Sequence, residues 1–203
     1  MKFSQTLPCL VLALLPLLFT SCATVNYSAD TLMDETSLHR EIAIVPVEVN
    51  YKTPAMMSFV EGSYPNREVQ ESRFYQEALY NSLLHKSRKN VKVEIQPIER
   101  TNAILRECKT SLYDSWAMNP AELAKILKVD AVVKVQVEEH LYLLPVGLAK
   151  AAGVRVSCSL FDGDSGDLLW KLGLDQNASG SYDSEEIINN LNRRIVRKFP
   201  YRW

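Results

Sequence analysis

Asn119-Pro120-Ala121-Glu122-Leu123-Ala124-Lys125-Ile126-Leu127-Lys128-Val129-Asp130-Ala131-Val132-Val133-Lys134-Val135 decides the fold of this 203-residue chain. Asn119 is a capping residue, Pro120 at the first helical position gives up only an N–H that has no helical partner, and Glu122 sits at the third position. Leu123, Ile126 and Leu127 then form one apolar helix face. The chain turns at Val129-Asp130 into a β-branched run with Val132, Val133, Val135 and Val137. A helix that feeds within two residues into an apolar strand is the unit from which helix-covered sheets are built.

Downstream, Val154 to Phe161 and Leu168 to Leu172 read as two strands. Asp162-Gly163-Asp164-Ser165-Gly166-Asp167 between them is a hairpin signal. Asp183 and Glu186 form a cap pair for a final helix with Ile187, Ile188, Leu191, Ile195 and Phe199 on one stripe. Arg193, Arg194, Arg197 and Lys198 crowd its C-terminal half, where cations complement the helix dipole. Upstream, Glu41 to Val49 alternates as a first strand, and Asn50 to Gln70 reads as a long loop. Phe74, Tyr75, Ala78, Leu79, Leu83 and Leu84 give a helix to Lys86. Val91, Val93 and Ile95 give a second strand, and Thr101 to Cys108 a short helix. The order βαβααβββα predicts an α/β (α+β) single domain over residues 41–203, a mixed sheet of about five strands covered by about four helices.

The N-terminus carries a different message. Lys2, an apolar run from Leu7 and Leu18-Phe19-Thr20-Ser21-Cys22 have the layout of a bacterial export signal over residues 1–21, too short and too near the start for a spanning helix. The segment resembles the lipobox of bacterial lipoproteins, with Phe19 where Leu is usual. That resemblance implies Cys22 as the lipidation site, bearing diacylglycerol and an N-acyl chain. Ser21 and Ala23 also make a small-x-small site, whose use would release a soluble periplasmic protein beginning at Thr24. Residues 22–40 read as the acylated cysteine and a short polar tether, reaching on the order of 60 Å at full extension.

Lysine and arginine number 23 against 24 acidic residues, which leaves no electrostatic footprint for nucleic acid. Of the four cysteines, Cys108 and Cys158 alone remain to pair; Cys158 alternates with Val154, Val156 and Leu160, so a buried thiol and a disulfide are both open. His39, His85 and His140 have no ligand spacing, and no cofactor is expected beyond the acyl chains on Cys22. Gly166 stands where a calcium loop needs an oxygen ligand, so the aspartates read as turn residues. No G-x-S-x-G or phosphate-cradling glycine loop is present, and the expectation is that the protein is not an enzyme.

The helix-to-strand run from Pro120 to Val135, the strand Ile42-Ala43-Ile44-Val45-Pro46-Val47, and the Asp162, Gly166 and Trp170 spacing resemble small bacterial lipoproteins. These are related to the curli-secretion lipoprotein CsgG, the penicillin-binding protein activator LpoB and the N-terminal domain of TolB. Within that group the layout is similar to a lipoprotein family of unknown function, and the resemblance covers Glu41 to Lys171. It implies fold more than activity.

Two segments are candidate contact surfaces. Met56, Met57, Phe59 and Tyr64 lie in the loop from Asn50 to Gln70, and Tyr142, Leu143, Leu144 and Leu148 lie in the apolar connection from Leu141 to Gly153. The second connection either extends the flanking strands and packs on the sheet edge or meets a partner. The functional expectation is a membrane-anchored envelope lipoprotein that binds another envelope protein or its own copies as a scaffold. Ala23 lacks the Asp that favours inner-membrane retention, which points to the outer membrane, facing the periplasm. The alternatives are a subunit of an oligomeric export apparatus and a soluble periplasmic binding domain.

Overall fold

The computed structural model describes residues 24–52, 67–90, 93–143, 150–178 and 184–201. Seven strands make one sheet: β1 (Thr24–Ser28), β2 (Glu41–Ile44), β3 (Glu48–Lys52), β4 (Glu94–Ile95), β5 (Ala131–Leu143), β6 (Lys150–Asp162) and β7 (Leu168–Ala178). Six helices accompany them among the described residues: α1 (Leu32–Leu38), α2 (Arg67–Asn90), α3 (Ile98–Glu107), α4 (Leu112–Ala117), α5 (Pro120–Leu127) and α6 (Ser184–Lys198). The sheet runs β1-β7-β6-β5-β2-β4, with β3 also beside β5. β2 pairs in parallel with β4 and β5, and β3 in parallel with β5; the remaining pairs are antiparallel. The mixed sheet and helical cover expected from the sequence are therefore the fold, with more elements than were foreseen.

Strand alternation divides the core in two. Ile42, Ile44, Val133, Val135, Val156, Leu160 and Leu172 face α2 and α6, where Leu79, Leu83, Leu191 and Ile195 are buried against them. Ala43, Val45 and Val132 point the other way, onto Leu105 of α3 and Leu123, Ala124 and Leu127 of α5. The two periods meet as they must: every second residue on the strands, one stripe on each helix. Two buried glutamines knit these layers. Gln96 donates from Nε2 to the Leu127 carbonyl at 3.0 Å and accepts from Thr101 Oγ1 at 2.9 Å. Gln76 donates to the Ile44 carbonyl at 2.8 Å, so both amides are satisfied inside the core.

Two expectations are corrected and one unforeseen helix is added. The tether over residues 22–40 is, from Thr24 on, mostly β1 and α1. Thr24–Ser28 gains strand structure only from pairing along β7, a partner so distant in sequence that no local period announces it. The single strand Glu41 to Val49 is broken in two: Ile44 faces Val133 and Glu48 faces Gln136, so four steps of chain lie against three of β5. Pro46, which has no N–H to give the ladder, sits in that bulge. Finally, α4 carries no apolar period, and its signal is a capping box: Ser111 Oγ accepts from the Asp114 amide, and Asp114 accepts in return from the Ser111 amide.

The hairpin from Asp162 to Asp167 forms as read, with the Asp162 amide donating to the Asp167 carbonyl at 2.9 Å. Gly166 has φ +78, and a Cβ there would sit 3.0 Å from Asn119 Oδ1, the atom that caps α5. A Cβ on Gly163 would lie 2.5 Å from the Asp130 carbonyl oxygen, a clash with backbone that cannot swing aside. Gly166→Ala is expected to lower stability by about 1–2 kcal/mol, the cost of the left-handed conformation. Gly163→Ala is expected to cost more, because β5 and the hairpin must separate to admit it. Urea unfolding of the two variants checks that order.

Candidate interaction surface

β5 and β6 pair with each other to the ends of their described residues. The described residues of β3 reach Lys52 opposite His140, and those of β7 reach Ala178 opposite Ala152. Tyr142 opposite Ala151 and Leu143 opposite Lys150 close the described β5–β6 ribbon. The apolar connection from Leu141 to Gly153 is thus largely strand, which places two of its expected contact residues, Tyr142 and Leu143, at the end of the sheet. Leu144 and Leu148 lie outside the described residues, as do Met56, Met57, Phe59, Tyr64 and Cys22.

On the flank of the sheet, α2, α3 and α4 enclose a cavity of about 350 Å³ at the carboxyl end of β2, lined by Pro46, Arg73, Gln76, Asn102, Arg106 and Ser115 among others. Gln76 and Asn102 bond each other reciprocally, Nδ2 of Asn102 to Oε1 at 3.0 Å. Trp116 of α4 donates to the Pro46 carbonyl at 2.9 Å, and Lys134 Nζ donates to the carbonyls of Trp116 and Met118 at 3.0 and 2.7 Å. Lys134 so neutralises the negative end of α4. Burial lowers the pKa of this ammonium from its usual value, against the opposing field of Glu48.

The structure also assembles residues that sequence reading left apart. His39, just after α1, is buried between Asp162 of the β6–β7 turn, at 3.2 Å from Nε2 to Oδ1, and Tyr201 near the C-terminus, at 2.6 Å from Nδ1 to Oη. Carboxylate, imidazole and hydroxyl in sequence have the bonding order of a catalytic relay. The hydroxyl belongs to a side chain only 1% exposed, however, and burial, then Asp130 and Asp162, push its pKa up strongly. The trio ties three distant segments together. No period or motif joins positions 39, 162 and 201, which is why this contact was invisible in the sequence. Among the described residues, no three His, Cys, Asp or Glu side chains gather as a metal set, and no helix is long and apolar enough to cross a membrane.

Cys108 and Cys158 are both free thiols, the first exposed and the second buried on the sheet face toward α2 and α6. Burial pushes the Cys158 thiol up to about 12. In the native protein begun at Thr24, which lacks Cys9 and Cys22, Cys108 is expected to react promptly with a disulfide reagent at pH 8 and Cys158 only after unfolding; prompt reaction of both would contradict the packing. Asp162 has a pKa below the ordinary carboxylate value: desolvation opposes the shift, but hydrogen bonds from Ser165 and His39 outweigh it. A carboxylate with a depressed folded-state pKa stabilises the fold above its unfolded value of about 4 and loses that contribution as pH falls through the folded value. Thermal midpoints measured from pH 6 down to pH 2 are expected to fall less steeply below pH 4 for Asp162→Asn than for the wild type.

No family model matches the sequence, and no curated protein matches it. Among solved structures, the chain is similar to the lipoprotein GNA1162 from Neisseria meningitidis, at 17% identity over 78% of this chain and 96% of that one, with a TM-score of 0.52. It also aligns with the C-terminal domain of LpoB from Salmonella enterica at 12% identity, over 70% of this chain and 83% of that one, with a TM-score of 0.41. The first likeness shows a shared fold: the sheet and helices of this chain are arranged as in a bacterial lipoprotein.

Proposed function

We propose that the chain is a bacterial envelope lipoprotein, held at a membrane by acylated Cys22, whose domain acts as a non-enzymatic binding module for another envelope protein. The observation that carries the binding role is the far end of the β5–β6 ribbon, where Tyr142 and Leu143, two apolar residues of a connecting segment, lie on paired strands. The leader ending at Cys22 and the fold shared with a lipoprotein support the anchored placement. Ala23 in place of Asp favours the outer membrane, with the domain on the periplasmic side. Confinement to a surface raises the effective concentration of the ribbon toward membrane-held partners, so a modest contact area suffices.

A photoreactive residue at position 142, expressed in the native host, is expected to give a discrete covalent adduct that is absent when the same residue is placed at Tyr113 on α4. Leu143→Asp is expected to reduce that adduct at least fivefold without lowering the amount of protein. An adduct of twice the chain's own mass assigns the ribbon to self-association. Equal labelling from both positions refutes the ribbon as a contact. Intact mass of the membrane fraction tests the anchor separately: acyl chains on the wild type and none on Cys22→Ala are expected.

A further inference from the structure

We infer that β1 and α1 form a membrane-contact face that rests on a zwitterionic phospholipid surface, an inference that depends on the acylation of Cys22 proposed above. Cys22 precedes Thr24, the first residue of β1, by two positions. Two residues span at most about 7 Å, so an acylated Cys22 at the headgroup level holds the start of β1 there as well.

The side chains on these two elements suit that position. Five large apolar residues are strongly exposed among the described residues, and three of them are Tyr27 on β1 and Met33 and Leu38 on α1, at 45%, 59% and 73%. The other two, Phe74 and Tyr113, lie on α2 and α4. Tyr is at home at a bilayer interface, where the ring meets acyl chain and the hydroxyl meets headgroup. α1 cannot swing away from the sheet to bury Met33 and Leu38: Thr36 is buried on its inner side, and His39 at its end is pinned by Asp162 and Tyr201. Among the described residues β1 is the last strand on its side of the sheet, the type of edge that folded proteins cover or protect. Asp30, Asp34 and Glu35 lie between the apolar groups, with Arg40 the first cation to follow. An anionic leaflet would repel this segment, which selects a zwitterionic surface.

The test uses the full-length acylated protein in Cys108→Ser form, reconstituted into phosphatidylethanolamine–phosphatidylcholine vesicles that carry nitroxide on the acyl chains. An environment-sensitive fluorophore is attached at Leu38→Cys or Met33→Cys, and at Tyr113→Cys as the distant position. Quenching at positions 33 and 38 at least twice that at position 113, falling when a third of the lipid is replaced by phosphatidylglycerol, is the expected result. Equal quenching at all three positions in protein whose intact mass shows the acyl chains overturns the membrane face and leaves the anchor standing. A mass without acyl chains overturns the anchor and this face with it.

Discussion

Two carboxylates at one end of the sheet hold the fold in register. Asp130 Oδ2 accepts from the Arg40 and Glu41 amides at 2.7 and 2.9 Å, while its own amide donates to the Glu41 carbonyl and its carbonyl accepts from Gly163. Asp162 Oδ2 accepts from the Asp164 and Ser165 amides at 3.0 and 2.7 Å, and its other oxygen faces His39. Together they fix where β2 starts, where β5 starts, how the β6–β7 turn closes and where the segments bearing His39 and Tyr201 are tied down. Because strand faces alternate with every residue, a slip of one position would turn the buried set of β2 or β5 outward. These side chains make such a slip expensive before any apolar packing is considered.

The parts of the fold that were legible in sequence were those with short-range causes. Asn119-Pro120 announced α5 by its capping chemistry, and Asp162 to Asp167 announced a turn through its aspartates and glycines. The alternation of Val133, Val135 and Val137 marked one buried face of β5. Apart from α4, whose local capping box between Ser111 and Asp114 went unread, what escaped depended on long-range partners. β1 is a strand because β7 lies beside it, and His39 acquires meaning only when Asp162 and Tyr201 arrive from elsewhere in the chain. The contact residues divide in the same way: Tyr142 and Leu143 stood out as apolar in a connecting segment, but their place on a paired ribbon followed from register. Tyr27, Met33 and Leu38 gave no signal, since isolated apolar residues in a polar stretch acquire significance only once their neighbours are seen to be buried and they are not.

The motif positions on which the resemblance to small bacterial lipoproteins rested serve architecture. Asp130 clamps backbone, Asp162 closes a turn, Gly166 supplies a left-handed residue beside the cap of α5, and Trp170 packs edge-on against Phe199 with ring centroids 5.9 Å apart. With these residues occupied in holding the scaffold together, the ribbon, cavity and edge are not constrained by them.

The pairing of β1 with β7 also orders events in time. β1 is the first strand among the described residues, and its partner is near the other end of the sequence. Closing so long a loop is entropically costly and slow compared with forming the local hairpin of β6 and β7. A chain exported N-terminus first, as the proposed leader would have it, would present β1 long before a partner exists for it. Fixing that end to a surface would keep the unpaired edge away from the edges of other nascent copies until the last third of the polypeptide has arrived.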